Sequence, residues 1–119
     1  MKKHLLFICT ANLCRSPLAA SLFDNSDIYE AKSAGTDVKP EYINSVQINQ
    51  DLINWADEIF VMSEKEDHHL SYIKENLDIS NKKVTVLDIS NVYNTSVSEE
   101  RDLLIKILKD KLSLYLNNS

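Results

Sequence analysis

The segment Cys9-Thr10-Ala11-Asn12-Leu13-Cys14-Arg15-Ser16 places a guanidinium six positions after a thiol and a hydroxyl directly after the guanidinium. The apolar run Leu5-Leu6-Phe7-Ile8 leads into it and reads as a buried strand. Pro17-Leu18-Ala19-Ala20-Ser21-Leu22-Phe23 comes next and reads as a helix with proline just inside its start. A short loop between a strand and a helix N-terminus turns its free N–H groups toward a common centre, and phosphate is the usual guest there. A cysteine at the base of such a loop adds a nucleophile, activated by a neighbouring cation and helix end. Arginine adds a planar fork able to grip two phosphate oxygens at once. The plain alternative is a strand-to-helix turn with two buried thiols.

These residues resemble the signature of the low-molecular-weight protein tyrosine phosphatases: a Cys, five residues, Arg, and then Ser or Thr. Asn12, Cys14, Ser16 and Pro17 stand where that family places Asn, a second Cys, Ser and Pro. Cys-x5-Arg alone is a weak pattern, and it becomes specific with the strand, the helix and these residues around it. The resemblance continues at Ser33-Ala34-Gly35-Thr36 and from Trp55 to Met62, while the stretch between Thr36 and Trp55 is shorter than in the family. Ala11 departs from the family, which usually has glycine there. Gly35 is the only glycine of the chain, so any left-handed turn in the loop falls best to Asn12.

The resemblance implies a phosphate monoester hydrolase acting through a phosphocysteine on Cys9, with phosphotyrosine proteins as the expected substrate. Phosphoarginine and small aryl phosphates also suit the loop, and inorganic phosphate is the expected product ligand. The N–H groups of Thr10, Ala11, Asn12, Leu13, Cys14 and Arg15, with the Arg15 fork, would bind the phosphoryl oxygens. Asp88, at the end of the fourth expected strand, falls where the family has its general acid, although Ile89 stands after it in place of proline. Ser16 would hydrogen-bond the Cys9 sulfur, or cap its own helix, or both. Tyr93 would stack on an aromatic substrate or pack in the core. Cys14 would form a protective disulfide with Cys9 on oxidation, or act as a small hydrophobe. Arsenate reduction on this scaffold needs cysteines beyond Cys14, and the sequence has none there. A non-catalytic phosphate-binding module and a thiol redox sensor are the readings from other classes.

The chain of 119 residues is 44% hydrophobic, which is expected to form one domain over residues 1–119 with one core. A net charge of -5 argues against nucleic acid as a partner. His4 stands alone and His68-His69 have no cysteine nearby, so neither metal nor cofactor is expected. The apolar start is too short for a membrane span. Two cysteines fit a reducing compartment, and a cytoplasmic monomer is the expectation.

Beyond the first unit, strands are expected over 28–34, 58–62 and 83–87. A helix should open at the Asn49 cap, and Leu70, Ile73 and Leu77 mark another, with His68 and His69 on its solvated face. Ser96 and Glu99 have capping-box spacing ahead of a last helix with Leu103, Leu104, Ile107, Leu108, Leu112 and Tyr115 in its stripe. Alternating strands and helices specify an α/β fold, a parallel sheet with helices on both faces. The resemblance implies the order 2-1-3-4 for its four strands. Right-handed crossovers bring the Cys9 loop and Asp88 to one sheet edge, where ligands of such sheets bind.

Overall fold

The structure is a computed structural model and describes residues 2–117. Its elements are β1 (Lys3–Cys9), α1 (Arg15–Ser21), β2 (Tyr29–Gly35), α2 (Gln50–Trp55), β3 (Glu58–Val61), α3 (His69–Asn76), β4 (Lys83–Val86), α4 (Ser98–Lys111) and α5 (Ser113–Leu116). The four strands form one parallel sheet ordered β2-β1-β3-β4. β1 is therefore central and covered on both faces, which is why it has a continuous apolar run rather than alternation. Leu5, Phe7 and Cys9 face one core with Ala19, Phe23, Leu104, Leu108 and Leu112. Leu6 and Ile8 face the other with Ile53 and Ile73. No helix among the described residues is long and apolar enough to cross a membrane.

Asn49 caps α2 as expected, its Oδ1 accepting the Leu52 N–H at 2.9 Å. Two expectations for the last helix fail. Val97 is the cap residue and no side chain caps the end, so the Ser96–Glu99 box does not form. Asn94 Oδ1 takes the Ser96 hydroxyl and N–H, and Glu100 rather than Glu99 reaches back, to the Asn94 N–H at 3.2 Å. Leu103 lies 48% exposed, outside the buried stripe.

The N-terminal edge of the sheet is closed by Glu58, whose carboxylate meets Lys3 at 2.6 Å, Lys83 at 3.3 Å and the Tyr115 hydroxyl at 2.6 Å. Burial works against its charge, yet hydrogen bonds from Lys3, Tyr115 and Lys83 hold the carboxyl below the usual range. This knot pins α5 to the end of the sheet away from Cys9.

Gly35 ends β2 beside the Cys9 loop. A Cβ there would collide with the Thr10 carbonyl oxygen and stand 2.9 Å from the Asn12 nitrogen. The glycine also exchanges hydrogen bonds with the segment folding back along β2, giving its N–H to the Val46 carbonyl and accepting from Ile48 N–H, both at 2.8 Å. Its missing side chain lets β2 and the loop touch. Gly35→Ala should lower stability by about 1–3 kcal/mol through overpacking, read as a lower urea midpoint at unchanged m-value.

Candidate active site

β1 delivers Cys9 at its C-terminal end, and the chain leaves the sheet through Thr10–Cys14 before α1 takes up Arg15 and Ser16. The loop turns at Asn12, whose φ of 58° is the left-handed conformation that asparagine tolerates. Its side chain holds the turn from inside. Nδ2 donates to the Ser16 and Ser33 hydroxyls, each at 2.9 Å, and Oδ1 accepts the Val46 N–H at 2.9 Å.

The carbonyls at the start of the loop are turned toward the end of β2. Thr36 N–H donates to the Cys9 carbonyl at 2.9 Å and Asp37 N–H to the Thr10 carbonyl at 2.8 Å. The N–H groups of Thr10, Ala11, Asn12, Leu13 and Cys14 find no acceptor among the described residues. Arg15, the first residue of α1, likewise has no intrahelical acceptor for its N–H. A run of unpaired donors at a helix start is an anion site.

The Cys9 sulfur lies 3.0 Å from the Ser16 hydroxyl, in a residue 3% exposed. Arg15, 5% exposed, donates from Nη1 to Asp67 Oδ2 and to the Ile89 carbonyl, both at 2.8 Å. Its Nε and Nη2 have no protein partner among the described residues, so the guanidinium is held along one edge and offers the other.

A cavity of about 220 Å³ opens over this arrangement, lined by Cys9, Thr10, Ala11, Leu13, Cys14, Arg15, Asp67, Asn91 and Tyr93. Thus Cys9, the loop, Arg15 and Tyr93 come together, while the side chains of Asn12 and Ser16 brace the loop from behind. Cys9 and Cys14 are free thiols, and the Thr95 hydroxyl lies 3.4 Å from the Cys14 sulfur. No group of three or more His, Cys, Asp or Glu among the described residues could hold a metal ion.

Asp88 is not among the residues brought together at this cavity. It is exposed and lines a separate hollow with Ser63, Lys65, Glu66 and Ser90. The chain turns left-handed at Asp88, φ 57°, and this turn sends Ile89 inward, its N–H to the Met62 carbonyl at 2.7 Å. Asn91 and Tyr93 then reach the cavity instead. The carboxylate that does line it, Asp67, comes from the turn after β3.

His69 is the second surprise: fully buried at the start of α3, whereas His68 takes the exposed left-handed position before it. His69 Nδ1 accepts the Ser63 N–H at 3.1 Å, so Nε2 bears the hydrogen and donates to Thr10 Oγ1 at 2.9 Å. The Thr10 hydroxyl donates in turn to Asp67 Oδ1 at 3.3 Å. Burial, aided by the Arg15 charge, pushes His69 down to about 4, against weaker pulls from Asp67 and Glu64. One signal in the sequence pointed here: β3 lies beside β1, so residues just past Met62 reach the same edge as Cys9.

No family model matches the chain. A 37-residue stretch is 51% identical to a protein-arginine-phosphatase of Geobacillus stearothermophilus, covering 29% of this chain and 25% of that relative. The chain thus matches about a quarter of that relative's length. Among solved structures, a low molecular weight phosphotyrosine phosphatase from Vibrio cholerae superposes with a TM-score of 0.74 at 17% identity, covering 98% of this chain and 95% of that one. The tyrosine phosphatase Wzb from Escherichia coli K30, in complex with phosphate, gives 0.71 at 19% identity over 99% of both chains. The arginine phosphatase YwlE from Geobacillus stearothermophilus gives 0.68 at 22% identity, covering 98% of this chain and 94% of that one. The chain has the fold of the low molecular weight phosphatases.

Neutral His69 makes stability depend on pH. Unfolded, the ring takes a proton near pH 6.5; folded, it resists until about pH 4. The unfolded state therefore binds more protons in that window, and stability falls with acidification by up to roughly 3 kcal/mol from this group. Urea unfolding at intervals from pH 7.5 to 4.5 should show a flatter profile for His69→Gln than for the wild type.

Proposed function

We propose that this protein is a cysteine-dependent phosphatase that hydrolyses phosphate monoesters on proteins through a phosphocysteine at Cys9. What carries the reading is the run of acceptor-free N–H groups around the Cys9 sulfur, completed by the open edge of the Arg15 fork. Such donors are fixed before reaction and act most strongly on the equatorial oxygens as charge gathers there. The sulfur attacks phosphorus as a thiolate, the ester oxygen departs, and water then releases phosphate. When the S–P bond breaks, the Ser16 hydroxyl 3.0 Å from the sulfur can donate to the returning thiolate.

Phosphotyrosine is the favoured substrate on this reading. Leu13, half exposed, and Tyr93 give the cavity an apolar and aromatic rim suited to a phenyl ring. A cytoplasmic, monomeric enzyme is consistent with two reduced cysteines and a cavity built within one chain. Cys14, in the same short loop, would protect an oxidised Cys9 by closing a disulfide.

Purified protein should hydrolyse nitrophenyl phosphate, and Cys9→Ser should reduce turnover to background while inorganic phosphate still binds. Arg15→Lys should lose roughly a hundredfold in kcat, because a point charge cannot hold two oxygens in a plane. Phosphotyrosyl peptides should be cleaved faster than phosphoarginyl peptides; the reverse order would overturn the substrate reading. Phosphate binding without Cys9-dependent turnover would make the protein a binding module.

A further inference from the structure

Thiolate displacement at a phosphate ester needs a proton on the departing oxygen unless the leaving group is itself acidic. Among the described residues lining the Cys9 cavity, Asp67 alone bears a carboxyl group. Asp88 lies in another hollow, and Asn91 presents an amide, which can donate a hydrogen bond but cannot give up the proton. The His69 ring is buried, with both nitrogens engaged by Ser63 and Thr10.

We propose that Asp67 is the catalytic acid and base of this site, protonating the leaving oxygen and then activating water. The proposal rests on the phosphatase reading above. Position supports it first. Asp67 is one hydrogen bond from the guanidinium whose other edge is open to phosphate, so a bound phosphoryl group and this carboxyl share Arg15 as a common neighbour.

The two carboxyl oxygens also differ. Oδ2 is committed to Arg15 at 2.8 Å, while Oδ1 has only the longer contacts from Thr10 at 3.3 Å and Asn91 at 3.4 Å. Oδ1 is therefore the oxygen free to exchange partners with a substrate. The chain from Ser63 N–H through His69 and Thr10 aims it. Thr10 and His69 act through Asp67 and are positioning residues.

Charge supplies the timing. Without substrate, Arg15 offsets the carboxylate. A phosphate ester on the open edge draws on the same guanidinium and sets negative oxygens beside Asp67, and two anions in one site favour protonation of one. The charged or titratable groups that share the cavity with Asp67 are Arg15 from α1, Cys9 at the end of β1, Cys14 from the loop and Tyr93 after β4; His69 from α3 lies behind Thr10, and the chain neighbours are Glu64, Lys65, Glu66 and His68. Glu64 is turned to Ser71 and Glu66 to Ser90.

In the first step the S–P bond forms and the P–O ester bond breaks, its electron pair going to oxygen with the proton from Oδ1. In the second, water forms a P–O bond and gives a proton to Oδ1, and the S–P pair returns to sulfur. Acid and base states of Asp67 are restored over the cycle.

The test compares phenyl phosphate, with a poor leaving group, and nitrophenyl phosphate, with a good one. Asp67→Asn keeps the shape and should lower kcat on phenyl phosphate roughly a hundredfold or more, and on nitrophenyl phosphate far less. Equal losses on both esters would reduce Asp67 to a holder of Arg15 and overturn the proposal. So would a leaving-group-dependent loss in Asp88→Asn with none in Asp67→Asn.

A second measurement does not depend on turnover. Sulfate, a dianion that does not titrate near neutrality, should bind Cys9→Ser with net proton uptake, read by calorimetry in buffers of different ionisation heat. Adding Asp67→Asn should abolish that uptake. Sulfate binding without uptake in Cys9→Ser overturns the acid–base role and leaves the phosphatase reading intact. No Cys9-dependent turnover on either ester overturns both.

Discussion

The left-handed turn at Asn12 is the constraint on which the site depends. Six successive N–H groups can face one centre only if the loop's carbonyls point away, and a loop without glycine must find that geometry with an ordinary side chain. Asparagine accepts the backbone conformation, and its amide then ties the loop to Ser16 in α1, Ser33 in β2 and Val46 in the returning segment. Each of these bonds is worth about 1 kcal/mol when made, and a buried amide left unpaired would cost more than that. Three elements must be in place before the turn is stable, so the anion site forms only with the fold.

The sheet divides its work between its two ends. At the N-terminal edge Glu58 gathers Lys3, Lys83 and Tyr115 into a knot of mutually satisfied charge. At the C-terminal edge donors outnumber acceptors, and that imbalance is what a phosphate would correct. A protein of net charge -5 can still draw an anion, because the positive potential is local, held in backbone dipoles and one guanidinium. An oxyanion bound at this edge should stabilise the whole fold, since only the folded chain gathers these donors in one place.

Much of this was legible in the chain because it is local. The residues from Cys9 to Ser16 form one continuous strand–loop–helix unit, the Asn49 cap acts three residues away, and the apolar run of β1 reports its own burial. Most of what the sequence does not show involves partners far apart in sequence or turns that redirect a chain. Asp88 stood at a strand end as expected, but a positive φ there sends its carboxylate off the edge and delivers Asn91 in its place. Asp67 meets Arg15 across 52 positions, and nothing in its polar, acidic surroundings marks it as a partner of that residue. His69 reads as solvated from its polar neighbours and the spacing of Leu70, Ile73 and Leu77, but the chain turns left-handed at His68 and drives the His69 ring beneath Thr10. The Ser96–Glu99 box failed to a local competitor, since Asn94 captures the serine first.

Arg15 is held by groups from two separate turns, Asp67 after β3 and the Ile89 carbonyl after β4, on a single nitrogen. Its aim therefore depends on both turns at once, and neither can shift without moving the fork. The turn after β4 supplies the carbonyl that anchors Arg15 and, two and four residues on, the Asn91 and Tyr93 side chains that line the cavity. The turn after β3 supplies the carboxylate and the buried histidine that orients it through Thr10. The tyrosine at the rim and the arginine at the base are thus linked through the backbone between 89 and 93, since the Ile89 carbonyl holds Arg15 and the same short segment places Tyr93 on the cavity wall.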